Sequence, residues 1–270
     1  MAAKGPAAAK TAAKMDFATI AGLVIGIGGI MGGLILEGGT VREIAAPTAL
    51  LIVLGGTVGA VMISTPIGVL RGGMRSLASV FFERSQDPQT IIEQLVDYSS
   101  TARKNGIVSL EQVAEQAPDP FLRKALHLAV DGTDLQELRS MMELEITLEE
   151  HHAEADARIF ECAGGYAPTI GIIGAVLGLI QVMKDLADIE KVGHGIATSF
   201  VATIYGVGFA NLFFLPIAGK IRARALQKAQ MRELTLEGVV GIVEGLNPKL
   251  IRSKLGAYTR RDKPADKAPE

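Results

Sequence analysis

The sequence predicts an all-α membrane protein: four transmembrane helices, a large helical cytoplasmic loop between helices two and three, and a helical cytoplasmic C-terminal extension. Three observations carry that prediction. The 270 residues are 49% hydrophobic with mean hydropathy +0.31, yet only 5% aromatic and without tryptophan. The apolar content therefore rests on Ala, Gly, Leu, Ile and Val, which let membrane helices approach closely. Four stretches, 17–36, 44–70, 162–183 and 195–219, contain no Asp, Glu, Lys, Arg or His. Each reaches or exceeds the ~20 residues that a helix needs to cross ~30 Å of hydrocarbon. Finally, no strand-like alternation persists anywhere, whereas the polar intervals repeat at helical spacing.

Taken in order, residues 1–14 place Lys4, Lys10 and Lys14 among alanines and read as a flexible cytoplasmic tail. The apolar run that follows is longer than a signal-peptide core and lacks a persuasive cleavage site, so it stays in place as the first span. Region 15–70 holds spans one and two. Region 71–161 carries Arg71, Arg75, Arg84, Arg103, Lys104, Arg123, Lys124, Arg139 and Arg158, and Lys220, Arg222, Arg224, Lys228 and Arg232 follow span four. The short connections near 37–43 and 184–194 hold only Arg42 in one, and Lys184 and Lys191 in the other. Basic residues beside membrane ends mark the cytoplasm, so both termini and the large loop are expected inside.

Within that loop, Asp87-Pro88 opens a helix by the logic of a cap followed by proline at the first position. Ile91, Ile92, Leu95 and Val96 give its buried face, and Asn105-Gly106 ends it. Ser109 begins another helix, and Asp119-Pro120 a third that runs through Leu126 and Val130. Thr133 or Asp134 starts a fourth. Its spacing of Leu135, Leu138, Met142 and Ile146 continues through the acidic stretch 143–161 into span three. Region 162–219 holds spans three and four. Span four runs on as a basic helix towards Leu236 within a cytoplasmic C-terminal region, 220–258, and 259–270 form a second flexible tail.

The spans lack any acid. A proton crossing a membrane must be held between two aqueous phases by a titratable group, so a proton pathway here requires a partner that supplies the carboxylate. Spans three and four instead carry stripes of small residues: Pro168, Gly171, Ala175 and Gly178 on one, Gly195, Ser199, Thr203, Gly206 and Ala210 on the other. Such stripes serve either plain packing or a smooth, weakly polar surface for another helix. Pro168 and Pro216, near the cytoplasmic ends of their spans, remove a backbone hydrogen bond and permit either a static kink or a hinge.

Other chemistry is excluded. With 27 Lys+Arg against 29 Asp+Glu, a nucleic-acid partner is not expected. His151 and His152 are adjacent and point about 100° apart on a helix, so an acidic solvated face explains them better than a metal site. The glycines of 22–33 lie inside a span rather than between a strand and a helix, which voids a nucleotide-loop reading. Cys162 has no base near it in sequence. No hydrolytic constellation is present, so the chain is expected to be neither an enzyme nor a cofactor carrier. A secondary transporter would bring inverted repeats or broken helices with polar midplane groups, and neither is seen.

Several stretches, in one order, carry a family resemblance: MDFATIAGLVIG at 15–26, ARKNGIVSLE at 102–111, FLRKALHLAVDGTD at 121–134, GGYAPTIGIIGAVLGLIQVM at 164–183, TIYGVGFANLFFLPIAGKI at 203–221 and EGLNPKLIRSKL at 244–255. From 15 to about 255 the chain resembles the MotA/TolQ/ExbB group, and within it the channel-forming subunits of flagellar stators. The resemblance implies an inner-membrane complex of five copies around a dimer of a MotB-like partner. That partner has one membrane helix bearing an essential Asp and a periplasmic peptidoglycan-binding domain. Ion flow past that Asp would turn the pentamer within the membrane lipid and push the rotor switch-complex protein FliG. The family's rotor-facing charges fall on Arg103 and Glu111, and its coupling prolines on Pro168 and Pro216. The candidate ion-pathway lining is Ala175, Ser199 and Thr203. Sodium-type members carry Thr at the positions of Ala175 and Thr203. Bare Na⁺ needs several oxygen ligands, so the missing hydroxyl at Ala175 favours H⁺, with Na⁺ the alternative. A TolQ- or ExbB-like subunit that energises the outer membrane is the rival reading, opposed by four spans instead of three and by the EGLNPKLIRSKL tail.

Overall fold

A computed structural model describes residues 14–83, 87–184 and 186–262. Residues 1–13, 84–86 (with Arg84 among them), 185 and the end of the second tail, 263–270, lie outside the described residues. The described chain divides into two compact units, one built from Lys14–Glu83 with His152–Arg224, the other from 87–151 with 225–262.

In the first unit, α1 (Phe17–Leu36) is capped by Asp16, whose carboxylate accepts from the Thr19 amide at 3.2 Å. A 3₁₀ turn (Val41–Ile44) leads to α2 (Pro47–Ser64). The apolar run 44–70, expected as a single span, breaks: Thr65 and Pro66 are both extended, and a separate helix α3 (Ile67–Phe81) follows. Proline drives the residue before it out of the helical region and offers no amide to continue the ladder. Span two therefore ends at Ser64, short of the expected 70. A two-residue antiparallel ladder, β1 (Lys14–Met15) with β2 (Phe82–Glu83), joins the start of α1 to the end of α3. Two residues are too few to print an alternation in sequence, and the other regular elements among the described residues are helical.

Two long helices follow the sequence expectation. Helix α7 (Leu135–Lys184) runs unbroken for 50 residues, about 75 Å at 1.5 Å per residue. Asp134 begins it, accepting from the Gln136 amide at 2.9 Å. The connection expected over 184–194 is shorter, because Asp188 accepts from the Lys191 amide and opens α8 (Ile189–Phe209) within that stretch. A π-helical turn (Ala210–Phe214) then leads into α9 (Leu215–Val243). Four helical segments are long and apolar enough to cross a membrane: α1, α2, α7 and the continuous run Ile189–Val243.

The second unit packs α4 (Pro88–Asn105), α5 (Glu111–Gln116), α6 (Pro120–Val130) and α10 (Pro248–Leu255) with the first turns of α7 and the last of α9. Asp87, Asp119 and Asn247 each cap a helix by accepting from the backbone amide two residues on, and Pro88, Pro120 and Pro248 take the first helical positions. Ser109 does not open a helix. It sits in a 3₁₀ turn (Ile107–Leu110), its hydroxyl donating to the Gly106 carbonyl at 2.6 Å. Leu95, Leu110, Phe121, Leu126, Leu138, Met142, Leu234 and Ile251 form the core and are fully buried.

Candidate functional site

The small-residue stripes meet each other. A Cβ on Gly171 would lie 2.9 Å from the Ala202 carbonyl oxygen and 3.2 Å from the Gly206 Cα. On Gly206 it would meet the Ala167 carbonyl oxygen at 2.5 Å. Backbone faces backbone there, so α7 and α8 form a seam that only glycine permits. Gly178 lies directly against Ser199, and the Ser199 hydroxyl donates to the Gly195 carbonyl at 2.8 Å. Ser199 is thus buried inside the seam with its proton engaged by its own helix, which satisfies a group that would otherwise be costly in an apolar setting. Ala175 and Thr203 are half-buried, and the Thr203 Cα touches the Gly171 position at 3.4 Å.

The two prolines sit on facing stretches of this seam's continuation. Pro168 lies inside α7 without ending it, and a Cβ on Gly164, one turn earlier, would meet Leu215 beside Pro216 at 2.6 Å. Pro216 lacks the amide that would reach back to Leu212, and the chain answers with the wider turn of Ala210–Phe214 immediately before it. A π turn absorbs the misfit that a proline ring forces on the preceding turn. Phe209, Phe213 and Phe214 cluster around it with ring centroids 5.6 and 6.4 Å apart. Near the other end of α2, the Tyr205 hydroxyl donates to the Ile44 carbonyl at 2.5 Å and accepts from the Ala46 amide at 3.3 Å, holding the entry to α2.

A further cluster was not foreseen from the sequence. Asp16, only 7% exposed, accepts from Lys220 at 2.5 Å and Arg224 at 2.6 Å. Arg224 also donates to the Ser79 and Phe82 carbonyls, and the Asp16 amide donates to Phe81 at 2.9 Å. Asp16 and Arg224 together therefore tie the start of α1, the end of α3 and the basic turn of α9. The Lys220 hydrogen bond, helped by Arg224 and the Thr19 amide against the cost of burial, holds the Asp16 carboxyl well below the usual carboxylate range. Similar pairing explains the acidic stretch of α7. Arg222 bridges Glu154 at 2.7 Å and Glu161 at 2.6 Å. In the second unit Arg232 reaches Glu149 at 2.8 Å while its guanidinium lies over the Phe121 ring. Arg139 and Lys254 share Glu237 at 2.6 and 2.5 Å. Burial opposes ionisation of Glu237, but these two cations hold its carboxyl below the usual range.

Arg103 and Glu111 differ from all of these. Arg103 closes α4, Glu111 opens α5, and both are exposed on either side of Gly106, whose φ of +82° only glycine adopts without strain. Neither has an ion-pair partner among the described residues. Leu110 and Ala114, fully buried, anchor the corner that carries them.

Four apolar helical segments, free of charge through the spans, define a multi-pass membrane protein. The chain belongs to the MotA/TolQ/ExbB proton channel family. Residues 113–234 match that family, and residues 20–106 match the N-terminal region of motility protein A. Motility protein A of Bacillus subtilis (strain 168) is 34% identical over 248 residues, covering 90% of this chain and 91% of the relative. Among solved structures, C. jejuni MotAB superposes with TM-score 0.88 at 31% identity, over 93% of this chain and 98% of that one. The flagellar MotAB stator complex from Bacillus subtilis gives 0.86 at 32% identity, over 93% and 100%.

Proposed function

We propose that this chain is the channel-forming subunit of a bacterial flagellar stator in the inner membrane, with both termini in the cytoplasm. The observation that carries the reading is the absence of Asp and Glu from all four apolar runs in a chain that is similar over 90–93% of its length to a motility protein A and to solved MotAB structures. An ion path built on such walls borrows its carboxylate. A MotB-like single-span subunit supplies that Asp, and a ring of five copies of this chain surrounds the partner helices.

Protons load and leave the partner's Asp beside the surface of α7 and α8 that includes Ala175 and Thr203. The glycine seam makes those two helices a stiff pair, so displacement by the partner helix moves them together. Pro168 and Pro216, on facing stretches, are where the backbone yields. The motion reaches the rotor protein FliG at Arg103 and Glu111. Exposed charge contacts are worth only ~0–1 kcal/mol each, which suits an engagement made and broken at every step. Charge also steers the encounter more than it tightens it. H⁺ is the coupling ion, because Ala175 offers no oxygen to a bare Na⁺.

A host strain without any other stator tests this. Deleting the gene leaves flagella that do not turn. Restoring the chain with its co-encoded single-span partner returns swimming, whereas a partner with its membrane Asp replaced by Asn does not. Swimming in the deletion strain, or with the Asn partner, contradicts the proposal.

A further inference from the structure

Helix α3 follows the second apolar helix after only Thr65 and Pro66, and it has two unlike faces. One is turned into the protein. A Cβ on Gly73 would meet Ile159 at 2.5 Å, the Ser76 hydroxyl donates to Asp156 at 2.5 Å, and Val80 is buried with Ala157, Phe160, Ala218 and Ile221. The opposite face carries Ile67, Arg71, Met74 and Arg75, with Phe82 just beyond the helix end. Ile67 is 62% exposed, Met74 67% and Phe82 51%.

Arg71 and Arg75, one turn apart on that face, are exposed and have no carboxylate or hydrogen-bond partner among the described residues. Lys220, Arg222 and Arg224, just beyond the fourth apolar run, are each ion-paired. Large apolar side chains beside two free guanidinium groups, at the end of a membrane span, match the boundary between acyl chains and headgroups. There the apolar side chains enter hydrocarbon, and the guanidinium forks donate to phosphate oxygens in pairs.

We propose that α3 is an interfacial helix that binds the headgroups of anionic phospholipids through Arg71 and Arg75. Charge complementarity selects the lipid: two unneutralised cations gain from a headgroup of net negative charge and little from a zwitterionic one. At roughly fivefold per basic residue near an anionic surface, the pair should favour phosphatidylglycerol over phosphatidylcholine by about tenfold or more. The proposal rests on the stator reading for the partner complex used in its test, but the test reads lipid retention and not torque, so the two readings fail separately.

The complex of this chain with its partner, purified and exchanged into mixed phosphatidylglycerol and phosphatidylcholine, is examined by native mass spectrometry for retained lipid. The unsubstituted complex should keep phosphatidylglycerol about tenfold over phosphatidylcholine. Arg71→Gln/Arg75→Gln should lose that preference at unchanged assembly mass, and Arg71→Lys/Arg75→Lys should keep most of it. As a measurement that needs no variant, the thermal midpoint of the unsubstituted complex in nanodiscs should rise with the phosphatidylglycerol fraction, and 1 M NaCl should abolish the rise (the Debye length is then ~3 Å). Equal retention of both lipids, or a midpoint indifferent to lipid charge, overturns the proposal. So does a Gln variant that sheds subunits in either lipid, which would make this face a contact between copies of the chain.

Discussion

Asp16 shows what a single side chain does at the edge of an apolar helix. Its two cationic partners lie on α9, Arg224 being 208 residues away in sequence, so nothing local marks it beyond its value as a helix cap. Removing one partner of a buried ion pair leaves the others uncompensated and costs on the order of 3 kcal/mol. Asp16→Asn should therefore lower the thermal midpoint in detergent by several degrees. The sign with pH follows from a folded-state pKa held below the unfolded value. The contribution is complete above the usual aspartate range of ~4 and is lost as pH falls through the lowered value. The gap between the natural chain and Asp16→Asn should thus be constant from pH 8 to pH 5 and shrink only below about 4. A gap that closes near neutrality would show that the carboxylate is not held by its cations.

Arg103 and Glu111 are the opposite case, legible in sequence because their surroundings are local: a helix end, Gly106 and a helix start. Being unpaired and exposed, they can be reversed at little cost to folding. Arg103→Glu and Glu111→Lys should each move the thermal midpoint by less than about 0.5 kcal/mol equivalent while sharply reducing swimming speed. Variants that fail to reach the membrane would count against a rotor-facing role. At Ala175, adding the hydroxyl of Thr should shift swimming towards dependence on external Na⁺, read as speed against Na⁺ at fixed pH. Unchanged dependence would remove the argument for H⁺ drawn from this position.

At the scale of elements, helix caps and long helices were readable, since Asp87, Asp119 and Asp134 act on amides within a turn of themselves. The stripes of glycine and small residues were readable as faces, but not which faces meet. That pairing of α7 with α8 is a tertiary fact, as is the match between the acids of α7 and the bases of α9. The break at Thr65-Pro66 was hidden by composition, because residues on both sides are apolar and charge counts cannot see a proline's backbone effect. The π turn was likewise illegible: Pro216 announces a misfit, and the packing around Phe209 and Leu215 decides how it is absorbed. The seam makes a sharp prediction. Gly206→Ala places a methyl 2.5 Å from a carbonyl oxygen and should destabilise by about 1–3 kcal/mol. Gly208→Ala, with nothing within 4 Å, should leave the thermal midpoint unchanged. Equal midpoints for the two variants would mean that the helices do not approach as described.

Across the whole molecule, charge is sorted rather than scarce. The chain carries 56 charged side chains by the sum of 27 basic and 29 acidic, and none falls within the four apolar runs. Outside them ion pairs join α7 to α9, whereas Arg71 and Arg75 on α3 and Arg103 and Glu111 beside Gly106 have no ion-pair partner among the described residues. Such a distribution suits walls that guide an ion without holding it. The most direct test is proton flux into liposomes under an imposed pH gradient, comparing the chain alone with the chain reconstituted with a MotB-like single-span partner in a flux-competent form. The chain alone should pass no more protons than empty vesicles, the pair should conduct, and replacing the partner's membrane Asp by Asn should return flux to background. Robust, proton-selective flux through this chain alone would contradict the account.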